Sequence, residues 1–85
     1  MRFTWDPAKE ATNQVAHGVD FTTAQIAFDD PKSLVVFDAA HSDNRELRWW
    51  LLGKVDTRIL LVRYTHRPSG LVRTIGAGYW RQGKE

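Results

Sequence analysis

Seven arginines crowd the second half of this 85-residue chain: Arg45, Arg48, Arg58, Arg63, Arg67, Arg73 and Arg81, joined by Lys54 and Lys84. Only Glu46, Asp56 and Glu85 oppose them there, so residues 45–85 carry a net charge of +6. Residues 1–44 hold Arg2, Lys9 and Lys32 against seven acidic side chains, a net of −4, and the overall +2 conceals this division. A guanidinium presents a planar fork of donors that matches phosphate oxygens, so the basic half is a candidate phosphate surface. No other chemistry is as well signalled. The chain has no cysteine, and Asp29-Asp30-Pro31 and Asp38 are spaced like turns rather than metal ligands.

The elements that must position those arginines follow from size and pattern. A chain of this length predicts one domain, residues 1–85, burying roughly 60–65% of its unfolded surface. Met1–Glu10 mixes charge, aromatics and proline, unlike a signal peptide. The longest apolar runs, Trp49–Leu52 and Ile59–Val62, are far too short to span a bilayer, so no membrane role and a cytoplasmic location are expected.

Helical signals come first. Asp6 can cap, Pro7 suits the first helical position and Gly18 suits the position just past the end, with Ala8, Ala11 and Val15 on one stripe between them. A second, short helix is expected from Thr22 or Thr23 to Phe28, before Asp29-Asp30-Pro31. Met1–Trp5 offers a small strand. From Ser33 the pattern turns to strands: Leu34–Phe37, Glu46–Gly53, Arg58–Arg67 and Leu71–Gly76, with turns at Lys54–Thr57 and Pro68-Ser69-Gly70. The fold class is therefore α+β, two N-terminal helices packed on a mostly antiparallel sheet.

Alternation sorts the faces of that sheet. Leu47, Trp49, Leu51, Leu60, Val62, Tyr64, Val72 and Thr74 should lie against the helices. The other face carries Glu46, Arg48, Trp50, Leu52, Ile59, Leu61, Arg63, Thr65, Arg67, Leu71, Arg73 and Ile75, arginines toward one end and apolar residues toward the other. Hairpins closed on the stated turns bring Arg48 near Arg63 and Arg73 near Thr65. Like charges facing each other on a sheet are destabilising, so an anion or acidic partner is the natural complement of such a cluster. Trp50, Leu52, Ile59 and Leu61 form an apolar patch of the kind that marks an interface.

With these residues in view the chain resembles a known family. Trp5-Asp6-Pro7-Ala8-Lys9, Asn13, His17-Gly18-Val19, Phe21, Ala24, Phe28 and Asp30-Pro31, followed by His41-Ser42, Glu46-Leu47-Arg48, Gly53, Leu61-Val62, Tyr64-Thr65-His66-Arg67 and Val72-Arg73-Thr74-Ile75, resemble the BrnT family over almost the whole chain. The resemblance implies a RelE-like toxin of a type II toxin–antitoxin system: a ribonuclease that cleaves messenger RNA, free or on the ribosome, and stops translation. It implies a cognate antitoxin with a DNA-binding domain, through which alone the toxin meets operator DNA. Two positions depart from the pattern: Ala16 stands where many members have lysine, and Gly78 where many have arginine. If those losses abolish activity, the protein is instead a non-catalytic toxin relative that grips the antitoxin and tunes repression of its own operon.

RNA cleavage without metal or cofactor turns the ribose 2′-hydroxyl on the adjacent phosphate. It needs a proton acceptor and donors for the charge that builds on phosphorus. Arg48, Arg67 and Arg73 are the best phosphate contacts, with Arg81 or Lys84 a substitute for the missing arginine and Glu46 either a proton acceptor or the group that orients Arg48. Arginine stays protonated and cannot be the base, which leaves Glu46, one of His17, His41 and His66, Tyr79 or Lys84. Arg63, Tyr79, Trp80 and Lys84 are candidate RNA contacts, the aromatics by stacking on unpaired bases. Trp50, Leu52, Ile59 and Leu61 are the candidate antitoxin surface.

Overall fold

The computed structural model describes residues 1–81. In chain order it has β1 (Arg2–Thr4), α1 (Pro7–His17), α2 (Phe21–Ala27), β2 (Leu34–Phe37), β3 (Arg48–Val55), β4 (Arg58–Arg67) and β5 (Leu71–Tyr79), with single 3₁₀ turns at Ala39–His41 and Pro68–Gly70. The five strands form one sheet in the order β1-β5-β4-β3-β2. β1 runs parallel to β5, and every other pair is antiparallel. Lys84 lies outside the described residues.

Local chemistry sets the helix ends. The Asp6 carboxylate accepts from Ala8 N at 2.9 Å, and Gly18 closes α1 in the left-handed region at φ 69°. Asp20 does the same for α2 through Thr23 N at 2.7 Å, so α2 starts at Phe21, before the expected Thr22 or Thr23. Phe21, Ala24 and Ala27 recur every three residues on one side of α2 and are fully buried against the sheet. Gly53 is what admits that helix: a Cβ there would collide with the Ala27 carbonyl. Leu51, Val55, Leu60, Val62, Tyr64 and Val72 complete the core from the sheet side, and Phe28 sits edge-on to both Phe3 (5.0 Å) and Tyr64 (5.1 Å).

α1 does not use the expected stripe. Ala8 and Ala11 face solvent and Val15 is 91% exposed. The helix is held instead by Asn13, which is buried. β1 pairs only with Leu71–Arg73, so the far half of β5 would be a bare sheet edge. Asn13 covers it as a neighbouring strand would. Its Oδ1 accepts from Ala77 N at 3.1 Å, and its Nδ2 donates to Ala77 O at 2.8 Å and to Val19 O at 3.0 Å.

β5 also runs past its expected end, to Tyr79, because a bulge resets its alternation. Arg63 pairs with Gly76 and Tyr64 with Thr74, which leaves Ile75 unopposed. Beyond it Ala77 returns to the core, and Gly76 and Gly78 take the open face where strict alternation had put Ile75. The β3–β4 loop closes to Asp56 and Thr57, shorter than the expected turn, with Asp56 at φ 55°.

A candidate phosphate site on the open face of the sheet

The face turned away from the helices is ordered by register. Opposite Arg48 on β3 and Arg73 on β5 stands Thr65 of β4, with Arg63 and Arg67 two residues to either side of it on its own strand. Four arginines thus ring one threonine, each a direct cross-strand or next-but-one neighbour. Thr65 is only 2% exposed beneath their stems, and its Oγ1 donates to Leu47 O at 2.6 Å.

The ring is only partly neutralised. Glu46 lies between two of its members, with Oε1 accepting from Arg48 Nε at 2.7 Å and Oε2 lying 3.2 Å from an Arg67 nitrogen. Asp38, at the end of β2, places Oδ2 3.3 Å from Arg63 Nε, off the line of a good hydrogen bond. Arg73 meets only a hydroxyl among the described residues, donating to Thr4 Oγ1 at 3.3 Å. Two carboxylates against four guanidinium groups leave an excess positive charge centred on Arg73, where an anion would be stabilised.

Beside the ring lies a cleft of about 530 Å³, lined among others by His17, Trp50, Leu61, Arg63, Trp80 and Arg81. Arg63 belongs to both, and its guanidinium carbon stands 4.5 Å from the Trp50 ring centroid. Gly76 and Gly78 keep the floor of the cleft low, with His17 reaching over Gly78 from the end of α1. Arg48, Arg67 and Arg73 do not line this cleft; they sit on the neighbouring part of the same face.

A family described as "Ribonuclease toxin, BrnT, of type II toxin-antitoxin system" has a sequence profile that matches residues 5–83. This chain belongs to the BrnT family. Among solved structures it resembles the Brucella abortus ribonuclease toxin BrnT, at 21% sequence identity, with 96% of this chain and 99% of that chain covered and a TM-score of 0.73. At that identity the likeness speaks for the fold, and it agrees with the α+β reading. No curated protein sequence matches the chain.

The residues singled out from sequence fall into three groups. Arg48, Arg67 and Arg73, joined by Arg63, surround Thr65, and Glu46 bridges two of them. Arg81, Tyr79 and Trp80 line the cleft. Of these, Tyr79 is partly packed on the core with the Arg58 guanidinium 3.9 Å above its ring, and Trp80 is 45% exposed. Leu52 pairs with Leu61 and Ile59 with Lys54, continuing the open face away from the arginines, and Trp50 marks the boundary. β2 extends this patch, an addition that depends on its pairing with β3 rather than on its own residue pattern. Leu34 and Val36 pair with Leu52 and Trp50, and all four residues of β2 are exposed along the sheet edge.

Sequence also left two roles open for Glu46, and its surroundings favour one of them. The hydrogen bond from Arg48, then the charges of Arg48 and Arg67, hold its carboxyl below the ordinary value of 4.5 despite partial burial. A depressed carboxylate is a weak proton acceptor near neutral pH but a good brace for two arginines. The sign of the stability effect follows: a lowered folded pKa stabilises above the unfolded value, and that contribution is lost as pH falls through the folded one. Urea unfolding of wild-type protein and Glu46→Gln between pH 7 and pH 3 should therefore give a difference in stability that shrinks toward acid. A constant difference would mean the carboxylate is not held by its neighbours.

Proposed function

We propose that this protein is an endoribonuclease that cleaves messenger RNA without a metal ion, stops translation, and is silenced in the cytoplasm by a cognate antitoxin. The observation that carries the reading is the ring of four arginines about Thr65 with its unneutralised member, Arg73. Such a ring binds the phosphate and stabilises the charge that builds on it during attack by the 2′-hydroxyl. Trp80 offers a ring face to an unpaired base beside it, and Arg63 and Arg81 offer charge to the backbone, whereas one face of Tyr79 is taken by Arg58. The apolar stretch from Trp50 through Leu52, Leu61 and Ile59 is the surface we assign to the antitoxin, whose own domain contacts operator DNA. An antitoxin seated there would also cover the cleft, because Trp50 and Leu61 line it.

One observation favours a second reading. Gly78 puts no side chain into the cleft, at a position where the family resemblance leads one to expect arginine. A toxin relative that binds antitoxin without cutting RNA would fit that gap. Expression without the antitoxin separates the two: the nuclease arrests growth and fragments messages. Folded protein that leaves growth and messages intact while still binding antitoxin would establish the second reading and exclude the first.

A further inference from the structure

The arginine ring can hold a phosphate but cannot accept a proton from a ribose hydroxyl. Glu46 is occupied by two arginines. A different pair, at one end of the same face, has the missing property. Asp38 is 6% exposed, and both of its carboxylate oxygens face His41 Nδ1, at 3.0 and 2.9 Å. A carboxylate only accepts, so Nδ1 is the donor, and in the neutral imidazole it is Nε2 that holds the lone pair. The His41 side chain is 49% exposed, and among the described residues Nε2 has no hydrogen-bond partner.

This pair is tied to the ring on two sides. Asp38 Oδ2, 2.9 Å from His41 Nδ1, is also 3.3 Å from Arg63 Nε. The turn that carries His41 is fastened to Arg48 through the backbone. Asp38 N donates to Arg48 O at 2.9 Å, Arg48 N donates to Ser42 Oγ at 2.8 Å, and Ser42 Oγ donates to Asp38 O at 2.7 Å. A solvated loop histidine needs no buried carboxylate, and a carboxylate that merely closed a turn would be satisfied by backbone N–H groups. Here a buried acid fixes an imidazole with one nitrogen open, within two contacts of the phosphate-binding arginines.

We propose that His41 Nε2 is the proton acceptor for RNA cleavage and that Asp38 is the positioning residue that orients it; this rests on the ribonuclease reading above. The ribose O2′–H proton passes to Nε2 as O2′ bonds to phosphorus. The P–O5′ bond breaks, O5′ takes a proton from water, and the resulting hydroxide discharges the imidazolium. The products are a 2′,3′-cyclic phosphate and a 5′-hydroxyl, with no redox change.

The test follows a reporter message in a ribosome-containing translation extract, so that free and ribosome-bound RNA are both offered. His41→Ala and His41→Gln should each slow cleavage by roughly 10²–10⁴-fold. Their affinity for single-stranded RNA methylated at every 2′-oxygen should stay at the wild-type level. Added imidazole should restore part of the activity of His41→Ala and none of that of Arg73→Ala. Asp38→Asn should lower the rate at saturating RNA even though freeing Arg63 of its carboxylate strengthens RNA binding. Wild-type rates in both His41 variants, or a loss that imidazole does not restore, would overturn the assignment while leaving the nuclease reading standing. A message left intact by the wild-type protein would instead remove the nuclease reading, and this assignment with it.

Discussion

Arg73→Ala should fold as the wild type does and cleave RNA on the order of 10²–10³-fold more slowly, the usual cost of losing one donor aimed at developing charge. Arg73 is the member of the ring whose guanidinium meets no carboxylate among the described residues, so its donors are the ones left for a phosphate. The same fact limits its structural worth. Removing it costs one bond of 3.3 Å to Thr4 and relieves repulsion from its neighbours around Thr65. Activity and stability should therefore separate, as they do where a site is held in a locally unfavourable arrangement. Arg73→Lys should recover little, since an ammonium keeps the charge but loses the planar fork. Cleavage rates set beside urea midpoints check this. A variant that loses both together would make Arg73 a structural residue.

Asn13→Ala should destabilise the protein by about 3 kcal/mol, because a single side chain satisfies the Ala77 N–H, the Ala77 carbonyl and the Val19 carbonyl in a buried setting. A domain of this length holds roughly 4–13 kcal/mol in all, so the loss is a large share. Asn13→Asp should be worse, since it keeps the acceptor for Ala77 N but turns an oxygen toward two carbonyls. The damage has a place as well as a size. Asn13 and Ala77 both line the cleft, so amide exchange at Ala77 and along β5 beyond the bulge should quicken before the core strands respond. An unchanged urea midpoint, or uniform loss of protection across the sheet, would contradict this role.

What could be read from the sequence was whatever hydrophobic periodicity encodes. Leu51, Leu60, Val62, Val72 and Thr74 alternate cleanly and are buried as alternation requires. The caps at Asp6 and Gly18 rest on local chemistry and stand as expected. The same strand pattern put Arg48, Arg67 and Arg73 on one face, where they meet. Three features escaped, each for a physical reason. α1 touches the sheet through a polar side chain, Asn13, that a hydrophobic stripe cannot reveal, while that stripe would turn Val15, which is exposed, inward. The bulge at Ile75 resets the alternation of β5, and nothing in Thr74-Ile75-Gly76 announces it beyond a glycine. The Asp38–His41 pair is three residues apart, a spacing that brings side chains together in one turn, but the Arg63 that also meets Asp38 comes from a distant strand.

The central claim is that four guanidinium groups around Thr65 act on a phosphate as one site. The Nε–Hε signals of the arginines, followed by NMR while single-stranded RNA methylated at every 2′-oxygen is added, test it directly. Arg48, Arg63, Arg67 and Arg73 should shift along a single saturation curve, while Arg2, Arg45 and Arg58 stay in place. Shifts confined to arginines outside the ring, with those four unmoved at saturation, would contradict it.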